Sequence, residues 1–415
     1  MKKALSFAVA LGLVAGMASA AVAADNLTLT GEARWRGSYK NNHVDASDTG
    51  TDRRQVMDQR YRLNASIKVN DDVKIGSRIV LLNQEFGNDN TTDNQSKGTD
   101  NTYNTADDGH GTSSVDRAWM DIKTLGGTWS FGRMEASWGN KFMGWGSSVD
   151  RVKATYKAGD LTFAGYLQKD VEGDSATSNG DQDKDTWGAL VVGKAGDTKW
   201  GVIANYVIDD RSAAKTSGED TGYLVDAFFN AKAGAANILG EIFYSDGDLL
   251  DNSNKDAIIG GFVGASMAAG PATLKGIVAM WDGNEAGGSS TARDCDDDFA
   301  PSLLIGTCNE TAIIDFGATT SASDPGDSTY LVAAGADMKI NDKINVGGGI
   351  GYLQASEHGY VVDDSKNLIE VDVYMSYALA QNATYTLGIA YGDWDNASAN
   401  DDALFVVGNR VNVTF

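Results

Sequence analysis

Leu27-Thr28-Leu29-Thr30-Gly31-Glu32-Ala33-Arg34-Trp35-Arg36-Gly37-Ser38-Tyr39 is written in a period of two. The odd positions carry Leu27, Leu29, Ala33, Trp35 and Tyr39 with glycines between them, and the even ones Thr28, Thr30, Glu32, Arg34, Arg36 and Ser38. Successive side chains of a strand point to opposite faces, so this stretch is a strand with one apolar and one charged face. Tyr61, Leu63, Ala65, Ile67 and Val69 repeat the pattern against Arg60, Arg62, Asn64, Ser66 and Lys68. Asn70-Asp71-Asp72 then reads as a tight turn, beyond which Val73, Ile75, Ile79 and Leu81 alternate with Lys74, Gly76 and Arg78.

The same reading predicts strands near 26–39, 56–69, 73–84, 115–124, 128–134, 150–158, 161–169, 186–194, 199–208, 221–231, 235–244, 256–267, 272–281, 328–339, 343–354, 367–377, 383–391 and 403–415. That is eighteen, or sixteen if a hairpin near 256–281 or 328–354 belongs to a loop. Short connections such as Gly126-Gly127, Gly159-Asp160, Gly196-Asp197 and Asn341-Asp342 alternate with long ones at 85–114, 170–185 and 282–327. A soluble sandwich has no reason to gather its short turns at one end, whereas an outer-membrane barrel does. The expected fold is therefore all-β, a closed transmembrane antiparallel β-barrel, since no sheet edge can face lipid. The three prolines, at 271, 301 and 325, fall outside the strand interiors. Trp129, Trp187, Trp200, Tyr223, Phe229, Tyr244, Tyr330, Tyr352, Tyr385 and Tyr391 sit towards strand ends on the apolar face, as interfacial girdles require.

Ahead of the barrel, Lys2 and Lys3 precede an apolar run from Ala4 to Met17, and Ala18-Ser19-Ala20 and Ala21-Val22-Ala23 offer two cleavage sites. Residues 1–23 are expected to be a secretory signal and 24–415 the barrel. The chain has 34 Lys+Arg against 57 Asp+Glu, a formal charge of −23, which argues against a nucleic-acid partner. Three His and two Cys in 415 residues cannot build a multi-metal or haem centre, so no metal site and no cofactor are expected. His43, His110 and His358 stand in predicted outer loops without a nucleophile elbow or a metalloprotease motif, which makes an enzyme the weaker reading. The run Asp294, Asp296, Asp297, Asp298 lacks the spacing of a calcium loop and reads as solvated. Cys295 and Cys308, in the longest loop, are expected to form a disulfide outside the cytoplasm.

In the last strand Phe405, Val407, Val411, Val413 and Phe415 alternate with Val406, Arg410, Asn412 and Thr414. This ending resembles the signal read by the barrel-assembly machinery of Gram-negative bacteria. Ser130-Phe131-Gly132-Arg133 resembles the porin strand that precedes the third external loop, and Asp150-Arg151-Val152 with Asp160-Leu161-Thr162-Phe163-Ala164-Gly165 resembles the return strand and its hairpin. On these residues the chain looks like a Gram-negative outer-membrane general porin, most clearly over 26–170 and at the C-terminus.

That resemblance implies a water-filled channel for passive diffusion of small hydrophilic solutes and ions. It also implies an outer-membrane location beside lipids and lipopolysaccharide, a homotrimer, and a third external loop, 135–149, folded into the pore. It places Arg62, Arg133 and Arg151 at the constriction, although Arg133 has the parity of outward Trp129 and Phe131 and would need a bulge near Gly132. The alternation itself puts thirteen basic residues of the first six strands on or beside the lumen face, among them Arg34, Arg36, Arg60, Arg62, Arg78, Arg117, Arg133 and Arg151, against Glu32 and Asp121. Asp226, Glu241, Asp337, Glu370 and Asp372 fall on the lumen side of later strands, so a transverse field is expected. Where porin third loops carry an acid before Phe-Gly-Gly, this chain has Asn140-Lys141-Phe142-Met143-Gly144, leaving Glu135 and Asp150 as the nearest acids. The substitution by Lys141 favours anions. Trp138, Phe142 and Trp145 offer an alternative, an aromatic ledge for a sugar in a substrate-specific channel, and the long loops a further one, a surface-binding barrel.

Overall fold

The computed structural model describes residues 26–41, 53–86, 114–142, 148–172, 183–210, 221–247, 257–281, 327–357, 365–395 and 403–415. The expected signal at 1–23 and the cysteines at 295 and 308 lie outside them. The described residues form eighteen strands and no helix. They are β1 (Leu27–Asn41), β2 (Arg53–Lys68), β3 (Val73–Glu85), β4 (Ser114–Thr124), β5 (Gly127–Glu135) and β6 (Ser148–Ala158). Next come β7 (Leu161–Val171), β8 (Lys184–Ala195), β9 (Thr198–Asp209), β10 (Thr221–Ala233), β11 (Ala236–Gly247) and β12 (Ile258–Ala269). The last are β13 (Ala272–Trp281), β14 (Asp327–Lys339), β15 (Ile344–Glu357), β16 (Ser365–Ala380), β17 (Ala383–Asp395) and β18 (Leu404–Thr414). Both hairpins that sequence left open, β12–β13 and β14–β15, are fully paired, so the count is eighteen.

Every strand pairs antiparallel with its sequence neighbours, and β1 pairs with both β2 and β18, which closes the sheet. The seam runs from Glu32 opposite Thr414 to Asn41 opposite Phe405. One further pair finishes it: the Gly31 N–H donates to the Phe415 carbonyl at 2.6 Å and the Phe415 N–H to the Gly31 carbonyl at 3.0 Å. The Phe415 ring lies where a Cβ on residue 31 would be, so only glycine admits this approach.

The short turns use a small vocabulary. Ala-Gly precedes the reversal at Gly159, Gly196, Gly234 and Gly270, all with φ between 59° and 63°, as a type II′ hairpin requires. The β2–β3 and β14–β15 turns instead share a Lys-x-Asn-Asp pattern. The Asn70 side-chain oxygen accepts the N–H groups of Asp72 and Val73 at 2.9 and 2.8 Å, and that of Asn341 those of Lys343 and Ile344 at 2.8 and 2.9 Å. Lys68 meets Asp71 at 2.6 Å and Lys339 meets Asp342 at 2.9 Å, and these bonds hold both exposed carboxyls below the usual carboxylate range. Between β4 and β5, Leu125 and Gly126 both have positive φ, 52° and 77°, so a branched and exposed side chain sits in the left-handed region.

Alternation gives the closed sheet two faces. The outer one exposes Phe163, Trp187, Tyr206, Tyr223, Ile242, Val263, Val278, Val332, Ile350, Val371 and Tyr391, the apolar dress of a barrel in lipid. The inner one holds most of the buried residues, charged and apolar alike.

Leu125→Gly is expected to raise stability by about 1 kcal/mol by relieving the left-handed leucine. Asn341→Ala is expected to lower it by about 1 kcal/mol through the two lost turn hydrogen bonds. Urea unfolding of the barrel in lipid vesicles measures both.

Candidate functional site

The inner face of β18, β1–β4 and β6 is an arc of guanidinium groups. Arg34 stands directly opposite Arg60, and Arg36 lies between Arg410 on one side and Asp58 on the other. Like charges facing each other across a ladder repel, and two carboxylates offset this. Asp58 takes Arg36 at 2.9 Å and Arg34 at 3.4 Å, while Glu32, opposite Arg62, takes Arg60 at 3.1 Å. A bulge between β3 and β4 brings Asp116 to Arg78, and Ser148 bridges the two sides, donating to Asp116 at 2.7 Å and accepting from Arg117 at 3.0 Å. Arg117 also meets Glu135 at 2.8 Å. Arg151 lies 4.1 Å above the Tyr166 ring and donates to Gln168, and the Tyr166 hydroxyl is in turn bonded to Asn205, so this guanidinium is held flat against the wall.

Residues 136–142, which follow β5, reach strands a third of the way round the ring. The Trp138 indole N–H donates to Asp226 on β10 at 2.6 Å, and the Asn140 N–H donates to Glu241 on β11. The Asn140 side chain donates to the Gly240 carbonyl at 2.8 Å and to that of Phe229 at 3.2 Å, and accepts from Asn230 at 2.8 Å. Trp138 meets Phe228 edge-on at 5.2 Å, and Phe142 packs on Phe262 at 5.1 Å and Phe243 at 6.0 Å between ring centres. Lys141 turns the chain with φ 66°, its N–H bonded to the Trp138 carbonyl at 3.1 Å. Trp145 lies outside the described residues. These contacts belong to an apolar inner band. In register across the ladders stand Phe228, Glu241, Phe262, Ala279, Leu331, Leu353 and Leu368, all buried, with Ile203, Asp226 and Phe243 in the adjoining row.

The structure thus gathers Arg34, Arg62, Arg78 and Arg151 on one arc, with Glu135 at its edge. Arg133 stands apart. It shares a ladder position with Ala118 and Asp150, and its guanidinium binds Asp150 at 3.0 Å and the Asp116 carbonyl at 3.2 Å. The neighbouring rungs continue the row outward, Asp150 opposite Lys169 and Lys169 opposite Asp185, which it meets at 2.9 Å. The positive φ of Gly132, 112°, causes no register shift between β5 and its partners, so Arg133 keeps the parity of Phe131 and Trp129. Sequence reasoning missed Asp58 and Asp116 as lumen acids. The even parity of Asp58 with Arg60 and Arg62 was the available signal for the first; the bulge that turns Asp116 inward left none.

No family model and no curated protein matches the chain. Solved structures do. The outer membrane protein opdK of Pseudomonas aeruginosa is 10% identical over 94% of this chain and 99% of that one, with a TM-score of 0.58. OccK8 (OprE) of the same organism is 11% identical over 94% and 98%, with a TM-score of 0.56. At these identities the likeness is one of fold: the chain has the barrel architecture of outer-membrane proteins.

Asp58→Ala removes the carboxylate that Arg34 and Arg36 share, and is expected to cost about 1.5–3 kcal/mol. Arg36→Ala, which also relieves the repulsion with Arg410, is expected to cost less. Denaturant unfolding of the two variants side by side measures the order.

Proposed function

We propose that the barrel is an outer-membrane channel for passive diffusion of small hydrophilic solutes, with a preference for anions. What supports this reading most is the arginine arc: Arg34, Arg36, Arg60, Arg62, Arg78, Arg117 and Arg151 line one side of a closed eighteen-strand ring, a width at which barrels leave an aqueous lumen. Arginines gathered on one wall, with Asp226 and Glu241 on β10 and β11 across the ring, set a transverse field that raises the local anion concentration. The connection that begins at Glu135 narrows the lumen, tethered by Trp138 and Asn140. Trp138 and Phe142 are buried against β10–β12, so neither offers the open ring face that a sugar ledge needs. The diffusion reading is therefore preferred over the sugar-specific one. In this proposal residues 1–23 direct export, Phe415 presents the C-terminus to the assembly machinery, three copies associate, and the outer loops lie beside lipopolysaccharide.

A planar bilayer under a KCl gradient tests the proposal. The mature protein should open in discrete steps with a reversal potential of anion-favouring sign. Arg60→Ala and Arg151→Ala should move that potential towards cations, whereas Arg133→Ala, on the outer face, should leave it in place. A folded barrel that passes no current, or one that favours cations, would refute the reading.

A further inference from the structure

Five arginines of the arc are held by carboxylates: Arg34 and Arg36 by Asp58, Arg60 by Glu32, Arg78 by Asp116 and Arg117 by Glu135. Arg151 is held differently. Among the described residues its guanidinium makes no ion pair, and its contacts are the Gln168 side-chain oxygen and the face of Tyr166. Gln168 is itself aimed, because its amide N–H donates to Asp170, which also accepts from the Thr186 hydroxyl, and its oxygen is left for Arg151. Tyr166 is aimed as well. It shares one rung with Gly188 and Asn205 across β7, β8 and β9, and its ring lies where a Cβ on residue 188 would be, so its hydroxyl reaches past β8 to donate to Asn205. Tyr374 repeats the arrangement on β16, lying over Gly347 of β15 to reach Asp337 of β14. Arg151, Tyr166, Gln168, Thr186 and Asn205 are all buried.

We propose that Tyr166 is the positioning residue of Arg151, fixing how far this guanidinium stands into the lumen without cancelling its charge. A carboxylate would hold an arginine as firmly, but the pair presents a dipole, whose field falls off faster than that of a single charge. A ring face attracts the cation through its quadrupole and carries no net charge, so Arg151 stays both fixed and fully cationic. Asp170, the acid of this network, stands one side chain removed, behind Gln168. Gly188 supplies the seat: a side chain there would lift the ring off β8, and Arg151 with it. With the ring gone, Gln168 is the one described contact left to keep the guanidinium at the wall, and the long side chain is free to project into the lumen. The consequence for permeation rests on the channel reading proposed above; the positioning itself does not.

Labelling of the folded, full-length barrel with phenylglyoxal, an arginine-specific reagent, read residue by residue from peptide masses, tests the positioning. Arg151 should react slowly in the wild type and about tenfold faster in Tyr166→Leu, the factor that loss of a desolvated cation–π contact implies. Gly188→Ala should raise the rate in the same direction with both side chains in place, and Tyr166→Phe, which keeps the ring, should move it least. Arg60, held by Glu32, should keep its rate in all three. Heat-modifiable electrophoretic mobility confirms that each barrel is folded. In a planar bilayer, Tyr166→Leu should lower the single-channel conductance, and the same substitution made in Arg151→Ala should leave the conductance of that variant where it is. Unchanged Arg151 reactivity in folded Tyr166→Leu and Gly188→Ala barrels, or a conductance loss that persists without Arg151, would overturn the inference. The expected labelling in a wild-type barrel that passes no current would instead count against the channel reading alone.

Discussion

Closure of β1 upon β18 is the constraint from which the rest of the molecule follows. A flat sheet of eighteen strands would leave two rows of unpaired N–H and C=O groups, which lipid cannot satisfy. The seam from Glu32 to Asn41, finished by the reciprocal Gly31–Phe415 bonds, leaves neither row. Once the ring is closed, a side chain has two destinations, and parity assigns them for the whole chain. Tyr61 and Tyr391 point out because Arg60 and Ala390 point in. A single slip in register would send arginines to lipid, so the tight turns that pin each hairpin matter as much as the ladders they join.

The interior so defined is divided against itself. On β18, β1–β4 and β6 it gathers guanidinium groups close enough to repel and holds them with Glu32, Asp58 and Asp116. On β9–β16 it is built like a soluble core, from Phe, Leu, Ile and Ala. Two carboxylates, Asp226 and Glu241, interrupt that core, and there the segment after β5 is fastened through the Trp138 indole and the Asn140 amide. Polar atoms buried among apolar neighbours need partners of fixed geometry, so these two acids specify where the segment lands.

Much of this was legible in the sequence because a two-residue period survives any tertiary context that keeps the ring closed. The strands, the short turns and the basic wall all followed from it. The inner apolar band did not, although its trace is present: Tyr223-Leu224-Val225-Asp226-Ala227-Phe228-Phe229 is apolar at nearly every position, the mark of a strand covered on both faces. Expecting a wet lumen, sequence reading assigns such a run to the outer face and lets the inner parity pass. Asp116 faces inward only because of a bulge, a one-residue irregularity with no compositional mark. Arg133 shows the converse. Its motif resembled a constriction residue, its parity said otherwise, and the ladder followed parity.

The seam also divides the ring in time. Seventeen of its pairings join strands adjacent in the chain, and one joins the two ends. Loop-closure entropy grows only with the logarithm of length, so that one pairing costs about 4–5 kcal/mol more than a two-residue hairpin. It is made last, once both partners exist. The molecule is then a ladder of local hairpins held in a ring by a single long-range clasp.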